Sequence, residues 1–78
     1  MSNPYPKLKV RMKRKSVYSW VLRNNTNVKE LGMKLGLSPS YFSQMLHGRR
    51  YPNGEKRRQI LKVMKPLTWD DLFSEDYE

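Results

Sequence analysis

The stretch from Asn27 to Gly48, NVKELGMKLGLSPSYFSQMLHG, limits the fold more than any other part of the chain. It reads as two short helices joined by a tight turn. Asn27 is suited to cap the first, and Glu30, three residues on, completes a capping box. Leu31 and Leu35 lie four apart and share one helix face. Gly36 breaks the pattern as a left-handed C-cap does. Ser38 caps the second helix, and Pro39 fits its first position. On that helix Phe42, Met45 and Leu46 form an apolar side. Ser40, Ser43, Gln44 and His47 recur at i, i+3, i+4 and i+7 and form a polar one. Gly48 ends it.

A buried helix, a glycine turn and a second helix with one polar face make a helix-turn-helix. The ordered set of residues resembles the Cro/phage-repressor (XRE) family of DNA-binding domains. The matching features are Asn27, Leu31, Gly32 where the family usually has alanine, Lys34-Leu35-Gly36-Leu37-Ser38, Phe42, Gly48, Arg49-Arg50 and Pro52. Gln59 to Met64 and Thr68 to Phe73 resemble the family's last two helices, so the likeness covers about residues 17–73. It implies an all-α fold: five short helices in a Cro/repressor-like domain over 17–73, an extended basic arm over 1–16 and an acidic tail over 74–78. Two positions depart from the pattern. Many members join an Arg and a Glu in a buried ion pair where this chain has Val21 and Leu46. The family's phosphate-binding Gln is replaced here by Val28.

Charge points the same way. The chain has 78 residues, no cysteine and a formal charge of +9. Residues 1–16 hold six basic groups and no acid, while residues 66–78 hold five acids and no base. A basic body of this size suits a polyanion, nucleic acid first. Without cysteine there are no disulfides or thiolate metal sites. No apolar run is long enough to span a membrane, and no apolar segment follows the basic N-terminus as in a signal peptide. A cytoplasmic, nucleoid-associated location is expected.

Pro4 and Pro6 discourage helix in the arm, and Lys7 to Lys13 alternates polar and apolar residues with period two. Three readings stay open: a disordered arm on phosphates or in the minor groove, a solubilising tail, or an edge strand that pairs with another chain. Val17, Trp20 and Val21 predict a first helix over 17–24 with its face in the core; Tyr18 and Leu22 form an adjacent stripe. Asn24-Asn25 stops it. Asn53 caps a fourth helix running to about Lys65, with Ile60, Leu61 and Met64 apolar, and Lys56, Arg57 and Arg58 on its exposed first turns. Pro66 stops it. Thr68 caps a short last helix with Asp70 and Asp71 in its first turn. Trp69, Leu72 and Phe73 close the core, and Ser74 to Glu78 fray.

No enzyme site is expected. His47 is the sole histidine, without a second metal ligand at useful spacing. Asp70, Asp71, Glu75 and Asp76 could bind Mg²⁺, but capping and a solvated tail explain them more simply. No phosphate-binding glycine loop is present, no cofactor is expected, and no small-molecule effector is evident.

By resemblance Arg49 and Arg50 contact phosphate, or else form a solvated basic turn; Ser38, Pro39, Ser40, Ser43 and Gln44 meet DNA. Tyr41 flanks the helix, touching a thymine methyl or sugar or simply packing. His47 contacts phosphate or base, or stays solvated. Gln44 is the strongest readout candidate, because its amide can bond adenine N6 and N7 together. Asn27 and the arm residues Lys13, Arg14 and Lys15 complete the candidate set. The expected function is sequence-specific binding of double-stranded DNA by a small phage- or mobile-element-type regulator, with the helix over 39–47 in the major groove. Resemblance suggests a homodimer on an inverted repeat. Alternatives are a DNA-binding accessory of recombination, and a protein-binding module such as an antitoxin whose acidic tail takes a basic partner.

Overall fold

The computed structural model describes residues 8–77. In chain order it runs β1 (Leu8–Met12), α1 (Arg14–Arg23), α2 (Val28–Lys34), α3 (Pro39–Leu46), α4 (Gly54–Val63), α5 (Trp69–Leu72) and β2 (Phe73–Tyr77). Residues 1–7 of the expected arm, and Glu78 of the expected tail, lie outside the described residues.

Local chemistry builds the helices. The side chains of Asn27, Ser38 and Asn53 accept from the backbone N–H groups of Glu30, Tyr41 and Lys56, at 2.8, 3.2 and 2.8 Å. Each supplies an acceptor to a donor the helix leaves orphaned. Glu30 does not reach back to Asn27 as a capping box requires; its carboxylate accepts from the Thr26 hydroxyl at 2.6 Å.

The first three helices end alike. After α1, α2 and α3 the chain passes through one left-handed residue: Asn25 (φ 53°), Gly36 (φ 68°) and Gly48 (φ 76°). The next N–H then reaches back five residues: Thr26 to the Val21 carbonyl, Leu37 to Gly32 and Arg49 to Gln44, at 3.0, 2.9 and 2.9 Å. These are Schellman closures, which reverse the chain and satisfy carbonyls that a helix end exposes.

The buried core joins Met12, Val17, Trp20, Val21, Leu31, Leu35, Phe42, Met45, Leu46, Ile60, Met64, Leu72 and Phe73. Trp20 keeps its polar edge satisfied by donating from Nε1 to the Lys65 carbonyl at 3.2 Å. Trp69 is half-buried, its ring 5.6 Å from that of Phe73. The stripe of Tyr18 and Leu22 beside the core face of α1 is exposed.

The all-α expectation is overturned. Leu8–Met12 and Phe73–Tyr77 pair as a two-stranded antiparallel sheet, with Lys9 opposite Asp76 and Met12 opposite Phe73. The alternating segment is a strand, as one reading allowed, but its partner is the chain's own C-terminal segment. Ser74 to Tyr77, expected to fray, are in β2, and Phe73 leaves α5 in an extended conformation. Burial explains the pairing: Met12 and Phe73 are both in the core, and a one-residue slip would turn them to solvent.

Helix α1 begins at Arg14, three residues before the expected start. Lys13 ties this start to the chain's end, its N–H donating to the Leu72 carbonyl at 2.6 Å and its Nζ to the Asp70 carbonyl at 2.7 Å.

Candidate nucleic-acid interface

Helix α2, the Gly36 turn and α3 form the candidate unit. Phe42, Met45 and Leu46 anchor one side of α3 in the core. Ser40, Tyr41, Ser43 and His47 are exposed on the remaining surface, and Gln44 is half-buried. Gly32 lets the two helices approach: a Cβ there would lie 3.0 Å from Cδ2 of Phe42. The fold thus holds α3 by its apolar side and leaves the polar side without a packing role.

Around that polar side the structure gathers some of the candidate residues. Ser43, Gln44, His47 and Arg49 line a shallow hollow of about 200 Å³. The His47 ring lies with Nδ1 2.8 Å from the Ser43 carbonyl. A carbonyl only accepts, so Nδ1 is the donor in this contact. Arg50 curls back over α3. Its Nε donates to Gln44 Oε1 at 2.8 Å, and its guanidinium carbon sits 5.1 Å from the centre of the Tyr41 ring. On the opposite flank an apolar groove of about 320 Å³ is bordered by Tyr18, Val28, Lys29, Pro39, Ser43 and His47. Val28, where the Cro-like pattern has Gln, therefore contributes apolar surface beside α3.

The arm candidates divide. Arg11, Lys13 and Arg14 share a hollow with His47 and Gly48 at the far end of α3. Lys15 lies instead with Trp20, Arg23 and Asp71. Asn27 and Ser38 are exposed, with their side-chain oxygens engaged as caps.

Lys29 and Arg11, outside the candidate set, also border these hollows. Lys29 carried no distinguishing signal. Arg11 had one in the period-two alternation, which places it on a strand; its Cδ lies 3.1 Å from where a Cβ on Gly48 would be. The cations of α4 are partly structural. Lys56 Nζ donates to the Leu35 carbonyl at the end of α2 and to Gln59 Oε1, both at 2.8 Å. Arg57 donates to the Pro52 carbonyl at 2.7 Å. Arg58 stays exposed.

The chain is similar to a bacterial helix-turn-helix protein. Over 72 residues it is 28% identical to the uncharacterized HTH-type transcriptional regulator YvzC of Bacillus subtilis strain 168, covering 92% of each chain. No family profile matches the chain, and no solved structure matches it.

Asp71 and Asp76 have structural roles. The Asp71 carboxylate accepts from the Thr68 backbone N–H at 2.8 Å and from its hydroxyl at 2.9 Å. These bonds hold its pKa below the ordinary value of 3.8, with the Lys13 charge adding to the effect. Asp76 pairs with Arg11 at 3.1 Å. Among the described residues no group of three His, Cys, Asp or Glu is arranged to hold a metal, and no helix is long and apolar enough to cross a membrane.

Proposed function

We propose that this chain binds duplex DNA sequence-specifically, as a small cytoplasmic transcriptional regulator of the Cro/phage-repressor kind without catalytic activity. Residues 17–73 are its DNA-binding unit, and α3 enters the major groove. The observation that carries the reading is the exposed polar face of α3, rimmed by Arg49 and Arg50 and held by a glycine turn against α2. The likeness to a protein named as an HTH-type transcriptional regulator supports it.

Each candidate takes a role from its position. Ser40, Ser43 and Gln44, with Tyr41 on the flank, form the face of α3 turned to the groove. Pro39 offers no side-chain hydrogen bond, so readout falls on its neighbours. Ser38 and Asn27 bring two helix N-termini to the backbone, where N–H groups and the helix dipole favour phosphate. Backbone N–H groups at the start of α2 take the role of the Gln that Val28 replaces. His47, Arg49, Lys13, Arg14 and Lys15 supply charge or donors along the phosphates, and Arg50, bonded to Gln44, stands at the edge of the reading face. The protein acts as a homodimer on an inverted repeat. The antitoxin reading is weaker, because the acidic segment it needs free is strand β2, with Asp76 paired to Arg11.

Selection of bound duplexes from a random library tests the proposal, with the mass of the complex measured alongside. The expected result is an enriched inverted repeat, two chains per duplex, and an affinity that falls with log salt by about 0.9 per neutralised phosphate. A library that emerges unenriched refutes the proposal; an enriched site holding one chain refutes the dimer alone.

A further inference from the structure

The bond between Arg50 and Gln44 changes what α3 offers to a base. Adenine recognition by a glutamine uses both ends of the amide, with oxygen accepting from N6 and nitrogen donating to N7. In this protein Gln44 Oε1 already accepts from Arg50 Nε at 2.8 Å. The outward groups of the pair are then the Gln44 amide N–H₂ and the two terminal amino groups of Arg50, all donors. Among the described residues Arg50 pairs with no carboxylate, and its terminal amino groups have no protein partner.

The guanidinium is also fixed in orientation. One side of its fork is bonded to Gln44 and its carbon lies 5.1 Å from the Tyr41 ring centre. The backbone beneath it is set by the Gly48 turn, where Arg50 N–H lies 3.3 Å from the Gln44 carbonyl. A guanidinium held this way has less rotamer freedom to lose on binding. A phosphate, which presents acceptors in several directions, gains little from such fixing. A base edge needs it.

We propose that Arg50 is the base-reading residue of this interface, that it reads guanine, and that Gln44 and Tyr41 are positioning residues which aim it. Guanine presents two acceptors, O6 and N7, in the major groove; adenine presents a donor that a donor-only pair leaves unmatched. The inference rests on the DNA-binding reading above and names the base class that the same site takes.

The test uses the full chain and the duplex it selects. Each guanine of that duplex is replaced in turn by adenine and by 7-deazaguanine, which lacks the N7 acceptor. Binding is titrated at one salt concentration for the parent, Arg50→Ala, Arg50→Lys, Gln44→Ala and the Arg50→Ala/Gln44→Ala double variant. One guanine per half-site should matter to the parent by about 5- to 150-fold and be indifferent to Arg50→Ala. Gln44→Ala should lose preference at that same guanine, and the double variant should be no worse than Arg50→Ala. Arg50→Lys should also lose it, since a lysine keeps the charge but not the fork. Melting temperatures of all variants should match the parent.

Two results overturn the inference alone. One is an equal loss by Arg50→Ala on selected and scrambled duplexes with a salt slope flatter by about one, the mark of a phosphate contact. The other is loss of an adenine preference in Gln44→Ala at a position insensitive to Arg50. If the parent enriches no duplex, the DNA-binding reading falls and this inference with it.

Discussion

At the scale of single residues, Val21 and Leu46 show how this chain departs from the pattern it resembles. Both are buried in the same core, 8% and 5% exposed, where the Cro-like pattern has an ion pair. Exchanging a buried ion pair for apolar side chains is often neutral or stabilising, whereas one charge alone is costly. Leu46→Glu should therefore lower stability by about 3 kcal/mol, measured by urea unfolding. Adding Val21→Arg should recover part of the loss; a double variant no better than the single one would show that the two side chains do not meet. The glycines make a second comparison. Gly36 and Gly48 both have positive φ, but a Cβ on Gly36 meets nothing within 4 Å while one on Gly48 meets Arg11 Cδ at 3.1 Å. Gly36→Ala should cost about 1–2 kcal/mol, the left-handed penalty alone. Gly48→Ala should cost more, because the Arg11 stem must also move. Equal losses at the two glycines would mean that Arg11 yields freely.

At the scale of elements, α5 is a single turn, too short to persist on propensity. Its start is secured by Asp71, which accepts from the Thr68 N–H and hydroxyl. Because these bonds hold the Asp71 pKa below 3.8, its stabilisation is complete above that ordinary value and is lost as pH falls through the lower, folded-state value. Asp71→Asn should melt below the parent at neutral pH, and the gap should close only in strong acid. A gap that does not change with pH would assign the effect to packing. This element also shows what a sequence discloses. The caps Asn27, Ser38, Asn53 and Thr68 and the stops Asn25, Gly36 and Gly48 were legible, because each acts within a few residues of itself. Phe73 was not. It continues an apolar helical spacing from Trp69 and Leu72, and only a partner 61 positions earlier, Met12, draws it into a strand. Lys56 and Arg57 read only as cations on the exposed first turns of α4, because their acceptors, the Leu35 and Pro52 carbonyls, come from other parts of the chain. Within the candidate interface the polar face of α3 followed from helical spacing. The Arg50–Gln44 bond did not, since it depends on how sharply Gly48 returns the chain.

At the scale of the whole molecule, two forces could hold the sheet that joins the two ends, and their magnitudes differ. One is charge, a basic strand on an acidic one. Its clearest expression is Arg11 with Asp76, whose side chains are 50% and 36% exposed. Exposed pairs of this kind contribute about 0–1 kcal/mol and are screened by salt. The other is burial of Met12 and Phe73, 3% and 1% exposed. Truncating a buried Phe to Ala costs about 3–5 kcal/mol, and a buried Met about 2–5. Burial should therefore dominate, with charge mainly favouring the pairing of β1 with β2 over other strands. Asp76→Asn should change unfolding stability by less than about 1 kcal/mol, while Phe73→Ala should lower it by about 3–5 kcal/mol. Deleting residues 2–12 should destabilise the helices as well, since Met12 leaves the core with the strand; a merely solvated arm would be removable without loss. Salt separates fold from binding in the same protein. Raising it should weaken duplex affinity steeply, through the proposed phosphate contacts, yet leave the melting temperature and the amide exchange of β1 almost unchanged. If salt instead released the β1 amides at the concentrations that abolish DNA binding, charge rather than burial would be what ties the two ends together.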